Sequence, residues 1–337
     1  MPHTDLASAM RGFFQEHLIS QRGLSGNTVM VYRDALKLFL AFACRLHQTT
    51  ATKLTLDELS DDAVRRFLHH LEHDRHNSAS TRNDRLAAIH SFFRYLSTLD
   101  PSCIQHCQSI LAVPFKRCPH RVPNFLEREE VQQIFRQIDC QTPLGRRDDA
   151  LLRIMYNSGM RAQEVVDLDV NHLRFTRPYT VLIHGKGSRQ RVCPLWRETI
   201  DAVKGYLEAR SVVPTNEGPL FLNTYGNRLT RFGIRYIVAH RIAAAAKECP
   251  TLLTRKITPH TWRHSTALHL LQSNVDLTMI CAWLGHASIE TTHQYVDIDL
   301  KMKQKTLSSV EHLIPKATGS PATWKTNKDI LTWLSTL

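Results

Sequence analysis

The sequence has no uninterrupted apolar run near the roughly 20 residues that a bilayer-crossing helix needs, so a membrane protein is not expected. Its first residues, MPHTDLASAMRGFF, hold neither the apolar core nor the small-residue cleavage site of a secretory signal, and the expected location is the cytoplasm. The eight cysteines are scattered from Cys44 to Cys281, without the dense framework of a small secreted disulfide fold. Cys103, Cys107, Cys118 and His120 form the only group of zinc-ligand types, and their spacing matches no familiar knuckle. No metal and no other cofactor are expected. Acidic residues are in deficit: 31 Asp and Glu stand against 43 Lys and Arg, a net charge of +12. A cationic surplus attracts a polyanion and releases its counterions, which makes nucleic acid the expected partner.

What is present divides in two. At 337 residues the chain is long enough for two domains with their own cores. Residues 1–112 read as helices with little strand signal. Thr28 to Phe42 has apolar residues at helical spacing. Ser60, Asp61 and Asp62 open a second helix with acidic groups where a helix N-terminus favours them. Thr81 to Leu99 forms a third, stopped at Asp100-Pro101 because proline cannot continue a helix. The basic stretch at 113–124, with prolines at 114, 119 and 123, is the expected linker. A second domain is expected over 125–315, opening on the amphipathic helix Leu126 to Ile138. Inside it YTVLIHGKGSRQRVCPL reads as strand, turn, strand, PLFLN at 219–223 as a further short strand, and helices are expected near 230–247, 260–272, 276–284 and 288–296. Residues 316–337 form a polar spacer and a short apolar helix containing Ile330, Trp333 and Leu337, too hydrophobic for a free solvated end. The fold class expected is mainly α with a small β-sheet.

Five segments of the second domain carry chemistry. In NSGMRAQE a helix stops at Gly159 and Arg161 follows at the next turn, three residues before Glu164. In HGKG, Lys186 occupies a hairpin turn whose flanking glycines permit close approach to a ligand. In TPHTWRH a helix begins after Pro259, and i to i+3 spacing puts His260 and Arg263 on one face. His286 ends the segment LGH, and Tyr295 follows nine residues later in HQYV.

In this order and at these intervals the five segments resemble the tyrosine recombinase (phage integrase) family, in its Xer-like two-domain form. The resemblance covers 125–300 closely, and more loosely a helical, SAM-like core-binding domain ahead of it. It implies a mixed α+β catalytic domain in which Arg161 and Arg263 grip the scissile phosphate. Lys186 is then the hairpin lysine, His260 and His286 the histidines of the two motifs, and Tyr295 the nucleophile. Glu164 takes the place of the acidic residue that supports the first arginine. The activity implied is site-specific DNA cutting and rejoining through a 3′-phosphotyrosyl link, the trade of an integrase from a mobile element. Double-stranded DNA, a homotetramer on two synapsed sites, and partner recombinases or accessory proteins are the implied partners, in the nucleoid. The apolar tail would dock on a neighbouring protomer or on its own domain.

The residue types fit that chemistry. Displacement at a phosphodiester passes through a transition state with added negative charge, and each guanidinium is permanently charged and donates two parallel hydrogen bonds. Two of them stabilise charge as it develops, without a metal. A tyrosine, with its ordinary pKa near 10, must lose its proton as it attacks. His260 can take that proton, and Lys186 can supply one to the departing 5′ oxygen. The remaining histidines read more simply. His69, His70, His73 and His76 follow one helix as a solvated face, and His264 and His269 belong to packing or the surface. Trp262 and Trp283 read as core. Arg82, Arg85, Lys116, Arg117 and Arg121 are candidates to follow a DNA backbone. Two rival readings stay open: a type IB topoisomerase-like enzyme, and a non-catalytic DNA-binding protein on the same fold.

Overall fold

The computed structural model describes residues 5–118, 123–185, 189–210 and 217–286, together with 288–290, 292 and 295. Lys186, Arg121, most of the expected 288–296 helix and the whole tail from 316 lie outside the described residues. The chain divides into two compact units, 1–120 and 121–337.

The first unit is helical. α1 (Leu6–Gly12) starts at Asp5, whose carboxylate accepts from the Ser8 N–H, and runs into a π-helical stretch, Phe13–Gln21. α2 (Gly26–Leu46), α3 (Asp61–His73) and α4 (Ala79–Leu99) each begin at a serine, Ser25, Ser60 and Ser78, whose hydroxyl accepts a first-turn N–H. Such a side chain satisfies a donor the helix itself cannot. The three helices expected from periodicity are these. Asp100 ends α4, and α5 (Ile104–Leu111) follows a short 3-10 turn. Phe13, Phe39, Phe67, Phe92 and Phe93 fill the core with almost no exposure, each contributing about 1.5–3 kcal/mol by burial. His69, His73 and His76 are exposed, as the solvated-face reading requires. His70 is half-buried, paired to Asp74 at 2.6 Å and stacked on Phe42.

The second unit packs helices around a small sheet. α6 (Arg128–Arg136), α7 (Pro143–Ser158) and α8 (Ala162–Val166) precede the strands β1 (Leu173–Arg174), β2 (Thr180–His184) and β3 (Gln190–Pro194), antiparallel in that order. α9 (Arg197–Ala209), α10 (Arg231–Ala245), α11 (Pro259–Gln272) and α12 (Leu277–Leu284) follow. The hairpin of β2 and β3 is the one expected.

The short strand expected at 219–223 is not a strand. It makes only isolated bridges, Asp169 to Pro219 and Leu222 to Arg228. Its backbone bonds are shared among separate partners and never form a ladder: the Leu220 N–H donates to the Leu168 carbonyl and the Leu229 N–H to that of Phe221, while Arg210 donates to the carbonyls of Pro219 and Leu220 and the Tyr206 hydroxyl accepts from the Leu222 N–H. The third strand of the sheet is Leu173–Arg174, too short to show alternation.

Candidate active site

α11 is the element on which the site is built. Thr258 caps it and Pro259 occupies its first turn, where a missing N–H costs nothing and the proline φ is already helical. One face is clamped to α7: Trp262 is fully buried and its indole N–H donates to the Leu152 carbonyl at 3.1 Å, while the Thr266 hydroxyl donates to the Tyr156 carbonyl at 2.7 Å. His260, Arg263 and His264 occupy the neighbouring stripe. The sequence expectation that Trp262 belongs to the core holds.

Arg263 is buried, and its charge is compensated by helix ends. One terminal nitrogen donates to the Gly159 carbonyl at 2.6 Å and the other to the Leu284 carbonyl at 2.7 Å. Those carbonyls terminate α7 and α12, where the helix dipole is negative. Both helices stop at a glycine in the left-handed region, Gly159 at φ 61° and Gly285 at φ 65°. A side chain at Gly159 would also meet Leu284 Cδ2 at 2.5 Å. Burial, and then the like charge of Arg161, pull the Arg263 guanidinium down to about 9, still protonated at neutral pH.

Arg161 sits at the start of α8, two residues after the turn at Gly159. Its backbone N–H donates to Glu164 Oε2 at 3.0 Å and its guanidinium to Oε1 at 2.8 Å. A third arginine, Arg191 on β3, completes the group: it donates to Glu164 at 2.8 and 3.3 Å and to the Trp283 carbonyl at 3.0 Å. Burial alone would raise the pKa of Glu164. The bonds and charge of Arg191, then of Arg161, outweigh it and hold the carboxyl below its usual range. Trp283 in turn donates its indole N–H to the Asn157 carbonyl.

His260 reaches solvent but is partly enclosed; burial, then Arg263 and Arg161, lower its pKa. His286 follows the turn at Gly285 and its Nδ1 lies 2.8 Å from the Thr292 hydroxyl. Burial, then Arg263 and Arg161, push its imidazole down to about 4. Tyr295 is buried against Ala267, Leu271, Ile280 and Leu284, and its hydroxyl lies 2.9 Å from Nδ1 of His264. His264 is likewise pushed down to about 4, by burial and then by His260 and Arg263. Three guanidinium groups, two of them sharing Glu164, three imidazoles with lowered pKa values and a buried phenol thus converge, a set suited to holding an anionic group beside a nucleophilic oxygen.

The structure therefore gathers Arg161, Glu164, His260, Arg263, His286 and Tyr295 in one region. Lys186 is outside the described residues, but its hairpin is anchored here: the Gly185 N–H donates to the Arg189 carbonyl at 2.7 Å, and Arg191 on the returning strand grips Glu164. Among the described residues no three His, Cys, Asp or Glu side chains gather as metal ligands. In the first unit Arg82 donates to the carbonyl of Pro114 and Arg85 to that of Val31, so both brace the chain itself. Lys116 pairs with Glu72 at 2.8 Å, and Arg117 is exposed.

Three features escaped sequence reasoning. Arg191 carried a signal: it alternates with the buried Cys193 and pairs with the buried Ile183, so a charge stands on the inward face of a strand. His264, assigned to packing or the surface, instead meets the Tyr295 hydroxyl; its signal was the i+4 spacing from His260. The third is α10, where Arg231, Phe232, Arg235, Tyr236 and His240 form one exposed stripe on a helix without an acidic residue. Its N-terminal end shares a cleft of about 380 Å³ with Thr258 and His260.

Comparison with known proteins agrees with this geometry. The phage integrase family profile matches residues 124–302, and the N-terminal SAM-like domain of phage integrases matches 12–98. The protein y4rC of Sinorhizobium fredii is 32% identical over 335 residues, 99% of each chain. Tyrosine recombinase XerC of Lacticaseibacillus casei is 32% identical over 293 residues, 85% of this chain and 93% of that one. Among solved structures, XerH site-specific recombinase bound to palindromic difH substrate superposes with a TM-score of 0.66 at 24% identity, over 84% of this chain and 80% of that one. The chain belongs to the phage integrase family and is a tyrosine recombinase.

Proposed function

We propose that this protein cuts and rejoins duplex DNA through a covalent 3′-phosphotyrosyl link to Tyr295. The observation that supports the reading best is the convergence of Arg161 and Arg263 on the region where His260, His286 and the Tyr295 hydroxyl meet. Arg161 and Arg263 hold the non-bridging oxygens of the scissile phosphate, and their attraction grows as charge builds there. Neutral His286 and His260 add hydrogen bonds to the same group. Tyr295 attacks phosphorus, the bond to the 5′ oxygen breaks, and Lys186 returns a proton to that oxygen. The phosphodiester energy is kept in the new link, so a 5′ hydroxyl from another strand reverses the step. Exchange between two duplexes needs a tyrosine for every strand cut, hence four protomers on two sites.

DNA as partner has support from charge and from relatives. Solved neighbours include XerH bound to difH substrate and a Tn1549 transposon integrase bound to transposon right-end DNA. In this chain the acid-free face of α10 supplies arginines and aromatic rings beside the site.

Covalent trapping on nicked suicide duplexes with EDTA present tests the reading. The expected result is a protein–DNA adduct that forms in wild type and is abolished in Tyr295→Phe. An adduct that persists in Tyr295→Phe would overturn the nucleophile. Relaxation of plasmids lacking any specific site would instead favour the topoisomerase-like reading.

A further inference from the structure

We infer that His264 is the positioning residue for the attacking oxygen: its Nδ1, 2.9 Å from the Tyr295 hydroxyl, accepts a hydrogen bond from it and fixes where the oxygen points. The inference rests on Tyr295 being the nucleophile. It adds a partner that orients the hydroxyl to the sequence reading, in which His260 takes the tyrosine's proton as the oxygen attacks.

The geometry is specific. Tyr295 is 1% exposed, so water does not compete to orient its hydroxyl. The His264 ring is tilted 54° to the phenol with centroids 5.7 Å apart, and His264 sits one residue beyond Arg263 on the helix that grips the phosphate site. A nitrogen can accept only without a proton. Among the described residues, the charged and titratable groups around the ring are His260 and Arg263 on α11, His286 after α12, and Tyr295. With burial, the first two disfavour a second proton on the ring. In the neutral ring with its proton on Nε2, Nδ1 is the acceptor and the phenol donates. With its proton held toward α11, the hydroxyl has a set orientation before it attacks. Such alignment is rate-determining because a misplacement of about 1 Å can cost on the order of 100-fold.

Two substitutions separate positioning from packing. His264→Leu removes the acceptor at similar volume, while His264→Asn carries an amide oxygen that reaches the place of Nδ1. The probe is a nicked suicide duplex enriched by binding from a random-sequence pool. The readouts are the first-order rate of adduct formation at saturating DNA and, separately, DNA affinity. His264→Leu should slow the adduct by about 10- to 100-fold with affinity changed less than about twofold, and His264→Asn should remain within about fivefold of wild type. His264→Leu at the wild-type rate, or His264→Asn as slow as His264→Leu, overturns the inference. Should His264→Leu fail to fold, ¹⁵N-histidine spectra of wild type and Tyr295→Phe decide: one Nδ1 resonance should move on loss of the hydroxyl, and no movement overturns it. Persistence of the adduct in Tyr295→Phe would instead remove the nucleophile reading itself, a distinguishable result.

Discussion

Glu164 shows how much one buried side chain has to balance. It holds Arg161 and Arg191 at once, with its own side chain 5% exposed. Replacing it by Gln leaves two guanidinium groups facing a neutral amide. Removing one partner of a buried pair costs about 3–5 kcal/mol, and a loss near the lower figure is expected for Glu164→Gln in urea unfolding. The carboxyl titrates below 4.5 when folded, so the unfolded chain takes up its proton first. Its contribution is therefore complete above pH 4.5 and disappears as the pH falls through the folded value, and the variant should lack that part of the acid slope. His264 and His286, near 4 when folded and 6.5 otherwise, act in the same direction between pH 6.5 and 4. At this scale the sequence showed the residues that bear chemistry but not their neighbours. Arg161, Arg263 and Tyr295 stand in motifs; Arg191 and His264 are defined by partners 27 and 31 positions away, which no local pattern contains.

Elements were legible wherever their own chemistry ends them. Ser60 announces α3, Asp100-Pro101 ends α4, Gly159 and Gly285 close α7 and α12, and alternation marks the β2–β3 hairpin. The segment at 219–223 misled because its apolar residues fit a strand while its backbone bonds go to scattered partners, the Leu168 carbonyl, the Leu229 N–H, Arg210 and Tyr206. The close approach of α7 and α12 yields a test. Gly159→Ala forces a side chain into the left-handed region, about 1–2 kcal/mol, and against Leu284. The double variant with Leu284→Ala removes the second penalty. Gly159→Ala should therefore cost less stability in the Leu284→Ala background than in wild type, measured as a double-mutant cycle. Equal costs would show that α12 yields to the added methyl group without strain.

For the whole molecule the dominant fact is the charge of +12, which the chain does not spread evenly. Arg82, Arg85 and Lys116 are engaged within the first unit, whereas Arg231 and Arg235 stand exposed on α10. If α10 follows a phosphate backbone, each arginine contributes about 0.9 to the slope of log affinity against log salt. The Arg231→Ala, Arg235→Ala double variant should reduce that slope by about 1.8, read from duplex binding at several salt concentrations. An unchanged slope would place the contacts elsewhere.

The two hydrogen bonds that Arg263 donates to the ends of α7 and α12 have a consequence for descent as well as for chemistry. The same guanidinium that we propose receives a phosphate is the pin of a three-way junction. A lineage that gave up cutting DNA could exchange Tyr295 for phenylalanine, keeping the buried ring, at little structural expense, but could not lose this arginine. Silent descendants of the fold should therefore lose their tyrosine first and keep Arg263 longest, as a relic of strength after the reaction is gone.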